Sequence, residues 1–326
     1  MASNRKKVMV PHTMGKEGVA LLERRDDIEV VTYPAGITQG DLLPMLSDVA
    51  GIALSGTPYK QTEMGASPAM EVVARIGVGY DAVEVPALTA RHVPLMVAGT
   101  ANSTSVAEHA FHLMMALAKR STALDVLVRK GTWADRHGGL PMELSGKTVL
   151  IVGFGRIGTR SARRCQGFDM NVLIYDPYMP AEQITAAGCE RVSDLDAALP
   201  RADFVSIHCP KNPETVGMFN AARFARMKRG AFIVNTARGG IIDEPALHAA
   251  LTSGHVAGAG LDVFDMEPTP VNNTLLQLDK VITSPHMAGV TTESVAGMAV
   301  VTAENILSVL DGKPNRNNVI NQEVLG

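Results

Sequence analysis

Cysteine is scarce in this chain: Cys165, Cys189 and Cys209 are the three present in 326 residues. An odd number without metal-ligand spacing argues against a disulfide framework and points to a reducing cytosol. Aromatics are also few, at 4% with a single tryptophan, Trp133. That speaks against a platform for stacking bases or sugars. A strong excess of charge of either sign is missing too. A formal net charge of −3 gives no reason to expect nucleic acid or an anionic membrane as partner. No apolar run approaches the roughly 18 residues of a membrane span. The basic start MASNRKKVMV lacks the apolar core of a signal peptide. The expectation is a cytoplasmic protein.

Apolar residues are plentiful, at 46%, enough for full cores. The length suggests two domains. In the first third, the strand-like runs KKVMVP, IEVVTYP, VAGIALSG and AMEVVARIGVGYD enclose the amphipathic stretch MGKEGVALLERR. Short apolar runs alternating with helical stretches indicate a parallel α/β sheet. NSTSVAEHAFHLMMALAKR reads as a core helix capped by Ser103 or Thr104, running to Arg120, with Met114 and Met115 in a wide apolar stripe. The polar segment RKGTWADRHGGLPMELSG then leads to six further apolar runs: TVLIVGFG, MNVLIYDP, ADFVSIHCP, AFIVNTARG, VAGAGLDVF and KVITSPH. That is a six-strand doubly wound pattern. A long closing helix, TTESVAGMAVVTAENILSVLDG, ends at Gly312 and Pro314. Coming after the sixth strand, it is placed to return to the first domain.

Gly153, Gly155 and Gly158 fit the G-x-G-x-x-G spacing after a strand and before a helix. The first permits a tight turn, the second lets backbone approach a pyrophosphate, and the third lets helix and strand pack closely. The helix start offers free N–H groups to phosphate. Asp176 ends the next strand, 18 residues past Gly158, where a carboxylate accepts from ribose hydroxyls. A plain turn at Asp176-Pro177 is the alternative. A carboxylate there repels a 2′-phosphate, and Pro177 and Tyr178 offer no cation against it, which favours NAD over NADP.

Three residues at later strand ends carry the chemistry: Arg238 in NTARGG, Glu267 in VFDMEP and His286 in SPHMAG. The guanidinium fork suits a carboxylate. The imidazole can pass a proton to or from a keto or alcohol oxygen, and a carboxylate beside it stabilises the protonated ring. His109, His112, His248 and His255 sit in helical or turn settings and read as structural. No Ser-His-Asp order, HExxH or CxxC set competes.

NSTSVAEH, VGFGRIG, LIYDP, HCPKNPETVGMF, NTARGGIIDEPAL, GLDVFDMEP and SPHMAGVTTES stand in this order between residues 102 and 294. In this the chain resembles the D-isomer-specific 2-hydroxyacid dehydrogenases, the group containing phosphoglycerate, glycerate and D-lactate dehydrogenases. The resemblance implies two doubly wound parallel-sheet α/β domains. A Rossmann NAD-binding domain, 102–290, is inserted into a flavodoxin-like substrate domain, 1–101 plus 291–326. It implies a homodimer through the NAD-binding domain, a small 2-hydroxy or 2-keto acid as substrate, NAD as cofactor and no metal. It assigns Arg238 to the substrate carboxylate and keto oxygen, His286 to acid/base work and Glu267 to its modulation. Toward NAD it assigns Gly153, Gly155, Arg156, Ile157 and Gly158 at the pyrophosphate and Asp176 at the ribose. His208, Cys209 and Pro210 line the adenine side, with Thr215 nearby. Thr236, Ala237 and Asp262 surround the nicotinamide, and Arg238, His286, Ala288, Gly289 and Val78 are also cofactor-binding. Gly56, Gly77, Val78 and Gly79 join Arg238 and His286 at the substrate.

The expected activity is NAD-dependent interconversion of a small D-2-hydroxy acid and its 2-keto acid. Phosphoglycerate-type activity is the alternative. It is disfavoured because the loop GTPYKQ sets Gly56 and Thr57 where a cation is expected, while Arg75 and Lys60 cannot be placed. No regulatory domain is expected after the C-terminal tail. An NAD(H)-sensing interaction protein on the same fold is a second alternative, against which the intact Arg/Glu/His set weighs. Formate enzymes of the family set a Gln against the histidine, whereas Glu267 and Pro285 favour hydroxy-acid chemistry.

Overall fold

The computed structural model describes residues 5–326, so the first four residues of the start read for a signal peptide lie outside it. The chain divides into two compact units: one formed by residues 5–102 and 290–326, the other by Ser103–Gly289.

The first unit carries a five-stranded sheet of β1 (Lys6–Pro11), β2 (Ile28–Tyr33), β3 (Val49–Leu54), β4 (Val72–Arg75) and β5 (Leu95–Met96). Their order is β2-β1-β3-β4-β5, with every pair parallel. This is the flavodoxin-like order. Both faces are covered, so alternate residues enter different cores. Met9, Ile52 and Leu54 pack on one side with Tyr33, Leu46 and Tyr59. Val8, Val10 and Ala53 pack on the other with Leu22, Ala299, Ala303 and Ile306. The last three belong to the helix Thr292–Leu310, so the C-terminal tail completes this unit's core. That helix is long and apolar enough to span a membrane, but its apolar stripe faces the sheet. It lies so close to the helix Lys16–Glu23 that a Cβ on Gly18 would stand 2.2 Å from the carbonyl oxygen of Ala299.

The second unit carries β6 (Thr148–Val152), β7 (Asn171–Tyr175), β8 (Glu190–Arg191), β9 (Phe204–Ile207), β10 (Ala231–Asn235), β11 (Val256–Leu261) and β12 (Val281–Thr283). All are parallel, in the order β12-β11-β10-β9-β6-β7-β8. Strand order reverses between β6 and β9, the topological switch point where doubly wound sheets bind ligands. Leu150 and Val152 face one core, Val149 and Ile151 the other.

The structure amends the sequence reading in four places. The second sheet has seven strands, not six, because β8 is two exposed charged residues with no apolar signal. The first gains β5, which is only two residues long. Ser103 and Thr104 do not cap from outside, since the helix begins at Ser103 and ends at Lys119. Arg120 then turns left-handed (φ 52°), and a second helix, Ser121–Arg129, fills a stretch the sequence reading left unassigned, ending where the polar segment begins.

Candidate functional site

The glycine-rich loop leaves β6 at the switch point. Gly153 has φ 96°, and a Cβ there would meet the Cys209 amide nitrogen at 2.7 Å and the His208 carbonyl carbon at 2.8 Å. The turn after β6 therefore packs directly on the turn after β9, and only glycine fits. A Cβ on Gly158 would lie 2.0 Å from the Gly153 carbonyl oxygen, whereas one on Gly155 would meet nothing within 4 Å. The middle glycine thus faces open space, as backbone approached by a pyrophosphate requires. Arg156 and Ile157 precede the helix Gly158–Gln166, whose N-cap Ile157 gives no side-chain cap. Its first N–H groups keep the partial positive charge that favours a phosphate.

Asp176 is partly buried at the end of β7. Its Oδ2 accepts from the Phe154 amide at 2.7 Å, and its Oδ1 accepts from Tyr178 and Met179 at 2.9 and 3.1 Å. Both readings from sequence meet here. The carboxylate makes the turn at Pro177, and in doing so is fixed beside the glycine loop with lone pairs remaining. Tyr178 in turn donates its hydroxyl to Glu214.

His208 follows β9. Its Nε2 meets Ser206 Oγ at 2.9 Å, and burial pushes its pKa down to about 4. The ring is therefore neutral at pH 7 although part of the residue remains in contact with solvent. Burial pushes the Cys209 thiol up to about 11, which leaves it protonated and inert. Pro210 is exposed. The Thr215 hydroxyl braces this loop, donating to Pro210 O at 2.6 Å and accepting from the Asn212 amide at 2.8 Å. Among the described residues, the buried His208 Nδ1 and Thr236 Oγ1 have no hydrogen-bond partner. Buried polar atoms of this kind call for a ligand. Together with the open Gly155 and the uncapped helix, they fit a dinucleotide.

The three chemical residues arise at the same edge, from adjacent strands β10, β11 and β12. Asn235, the last residue of β10, holds the Arg238 turn: its Nδ2 donates to Arg238 O at 2.9 Å and its Oδ1 accepts from the Ala237 amide at 3.0 Å. Arg238 itself donates through Nη1 to Ala237 O at 2.7 Å. Next to it, a Cβ on Gly239 would fall 1.8 Å from Phe264 O. The loops after β10 and β11 therefore touch backbone to backbone. Gly240 N donates to Asp265 Oδ1 at 2.6 Å, and Asp265 N donates to Glu244 Oε1 at 2.8 Å.

Glu267 accepts from the Phe264 amide through Oε1 at 2.9 Å, which aims Oε2 at His286 Nδ1, 2.7 Å away. Both side chains remain substantially solvent-accessible, at 49% for His286 and 36% for Glu267. Glu267 engages Nδ1, so Nε2 is the nitrogen left for a substrate. His286 sits at φ 56°, a left-handed conformation uncommon for a side-chain-bearing residue. Asp262 holds that turn. It is 1% exposed. Its carbonyl oxygen accepts from the His286 amide at 2.8 Å, and its carboxylate accepts from Met287 and Ala288 at 2.8 and 2.9 Å. Asp262, assigned from the resemblance to the nicotinamide, thus also supports the His286 turn, and Ala288 and Gly289 follow directly in the chain.

Gly56, Gly77, Val78 and Gly79 belong to the first unit, at the ends of β3 and β4. Gly56 faces open space. Gly77 has φ 129°, and its carbonyl accepts from the Ala98 amide at 2.8 Å. Arg75, unplaced from sequence, donates to Gly79 O at 2.8 Å and Leu54 O at 3.0 Å. It tethers the 77–79 loop to the end of β3. Lys60 is exposed.

Sequence reasoning missed Asn235 and Ser284 and gave His109 a structural reading. Asn235 had a signal, since an amide ending a buried strand must find partners. His109 had none, because its hydrogen-bond partner Ser284 is 175 residues away.

Residues 111–288 match the family model described as "D-isomer specific 2-hydroxyacid dehydrogenase, NAD binding domain". The chain is 36% identical to the D-3-phosphoglycerate dehydrogenase of Archaeoglobus fulgidus over 96% of its own length and 59% of that protein's. It spans about three fifths of the length of such curated relatives. Among solved structures, a glyoxylate reductase from Paecilomyes thermophila superposes with a TM-score of 0.87 at 27% identity, over 98% of this chain and 99% of that one. D-Lactate dehydrogenase from Aquifex aeolicus, complexed with NAD and lactic acid, does so with 0.86 at 26%, over the same shares. The chain belongs to the D-isomer-specific 2-hydroxyacid dehydrogenase family, and its second unit is that family's NAD-binding domain.

Proposed function

We propose that the protein is an NAD-dependent oxidoreductase that interconverts a small D-2-hydroxy acid and its 2-keto acid. The observation that carries this reading is the Glu267–His286 pair, with the Arg238 turn braced against its loop, at the C-terminal edge of an NAD-binding sheet. NAD, when bound, supplies or accepts the hydride. Arg238 grips the substrate carboxylate and polarises the keto oxygen. His286 gives a proton from Nε2 to that oxygen in reduction and removes it in oxidation, with Glu267 fixing the ring through Nδ1. Gly56 and the backbone of Gly77, Val78 and Gly79 are assigned to the substrate, which makes the first unit the substrate domain. Val78 is also assigned to the cofactor. Thr236, Ala237 and Asp262 are assigned to the nicotinamide side, Ala288 and Gly289 to the cofactor, and His208, Cys209, Pro210 and Thr215 to the adenine side.

A phosphorylated substrate is the weaker reading. Gly56 offers no side chain, and two Arg75 nitrogens are committed to backbone carbonyls. A homodimer through the second unit is supported by an apolar stretch without cover in the chain itself. The helix Ser121–Arg129 buries none of its residues, and Val126, Val128, Trp133 and Leu140 are exposed nearby. Cytoplasmic residence rests on the free thiols.

A panel of 2-keto acids (glyoxylate, pyruvate, hydroxypyruvate and phosphohydroxypyruvate) assayed with NADH tests the activity. His286→Ala is expected to lower turnover by about 10²–10⁴-fold while leaving NADH fluorescence titrations nearly unchanged. Turnover equal to the parent protein refutes the assignment.

A further inference from the structure

We propose that His109 is a positioning residue for His286, acting through Ser284 and Asp262. The inference rests on the activity proposed above. Three elements contribute to the chain of contacts: the helix Ser103–Lys119, the turn after β12 and the turn after β11. His109 Nε2 lies 2.7 Å from Ser284 Oγ, and Ser284 Oγ lies 2.5 Å from Asp262 Oδ1.

Proton bookkeeping fixes the direction. An ionised Asp262 can only accept. At 2.5 Å the Ser284 hydroxyl must therefore donate to it. Ser284 Oγ then has only lone pairs for His109, so His109 Nε2 carries a proton and donates. Burial pulls the His109 pKa down, the Asp262 charge opposes this and His112 adds to it. The neutral Nε2–H form is thus the one that serves at pH 7.

The consequence reaches the reaction through Asp262. Its Oδ1 is shared by Ser284 and the Met287 amide, its Oδ2 holds the Ala288 amide, and its carbonyl holds the His286 amide. The carboxylate thus fixes the two amides that follow His286, which is held at φ 56°, while backbone carbonyls of Asp262 and Ser284 hold the His286 amide itself. His109 and Ser284 fix that carboxylate's rotamer. Without the His109 donor, Ser284 can turn its hydroxyl away and Asp262 loses that side-chain hydrogen bond. The imidazole of His286 then samples orientations away from the reacting oxygen, and small misplacements at a reacting centre lower rates steeply.

Two measurements test this. Long-range 1H–15N correlation of the imidazoles, recorded without substrate at pH 7, is expected to show His109 as the Nε2–H tautomer. The Nδ1–H tautomer overturns the proposed chain. Kinetically, His109→Phe and Ser284→Ala are each expected to lower kcat by about 10–100-fold, with the NADH dissociation constant and Tm close to those of the parent. His109→Gln, whose amide nitrogen can still donate to Ser284, is expected to recover most of the loss. An undiminished kcat in the folded Ser284→Ala protein, or no recovery with Gln, refutes the role. A parent protein inactive on every keto acid refutes the proposed activity instead, and the tautomer result stands apart from it.

Discussion

Burial acts on single residues in ways that pH exposes. The neutral His208, held down to about 4 by desolvation, must stay unprotonated in the folded chain while the unfolded chain titrates near 6.5. As pH falls from 6.5 toward 4, the unfolded state takes up a proton that the folded state refuses, so stability declines across that window and levels off below 4. The shift corresponds to at most about 3 kcal/mol. Urea unfolding at pH 7 and pH 4.5 should show His208→Gln losing about 2 kcal/mol less than the parent over this interval. Equal losses would mean that the ring is not the titrating group. Asp176 supports a second expectation. Its carboxylate repels a 2′-phosphate, so Asp176→Asn should improve NADPH affinity relative to NADH by about tenfold, read from fluorescence titrations. An unaltered ratio places the discrimination elsewhere. Arg238, Glu267 and His286 stood out in the sequence because each follows an apolar run at a strand end. Two of them, Glu267 and His286, meet at 2.7 Å. The support under them was not legible: Asp262's hold on the His286 turn runs through backbone amides, which carry no residue signature.

At the scale of elements, the glycine loop separates space for a ligand from space the fold itself needs. Gly155→Ala adds a methyl to open space, so the apo protein should unfold at the parent's denaturant midpoint while NADH binding weakens. Gly158→Ala forces a Cβ against the Gly153 carbonyl and should cost about 1–3 kcal/mol without any ligand. If both variants lose stability equally, the loop is a structural turn only. Strand reading from sequence worked where burial on both faces demands continuous apolar runs, as in β3 or β9. It failed for β5 and β8, two residues each, because pairing there is imposed by the neighbouring strand rather than by composition. The helix Ser121–Arg129 was missed for a related reason. None of its residues is fully buried within the chain, so no apolar face had to be matched to a core.

For the whole molecule, that uncovered stretch bears on assembly. Val128→Asp combined with Leu140→Asp places charge on two of its most exposed apolar residues and should convert a dimer to a monomer in sedimentation velocity. A parent protein that already sediments as a monomer refutes the proposed homodimer. The order of the chain has a further consequence, during synthesis. The sheet face bearing Val8, Val10 and Ala53 is finished early, but Ala299, Ala303 and Ile306, which cover it, are made only after the inserted unit. At a translation rate of about 5–20 residues per second, that face waits roughly 10–40 s while the inserted unit is completed. A nascent chain in that interval presents an adhesive, half-built layer, and holding it apart from its neighbours on a polysome is work for a chaperone.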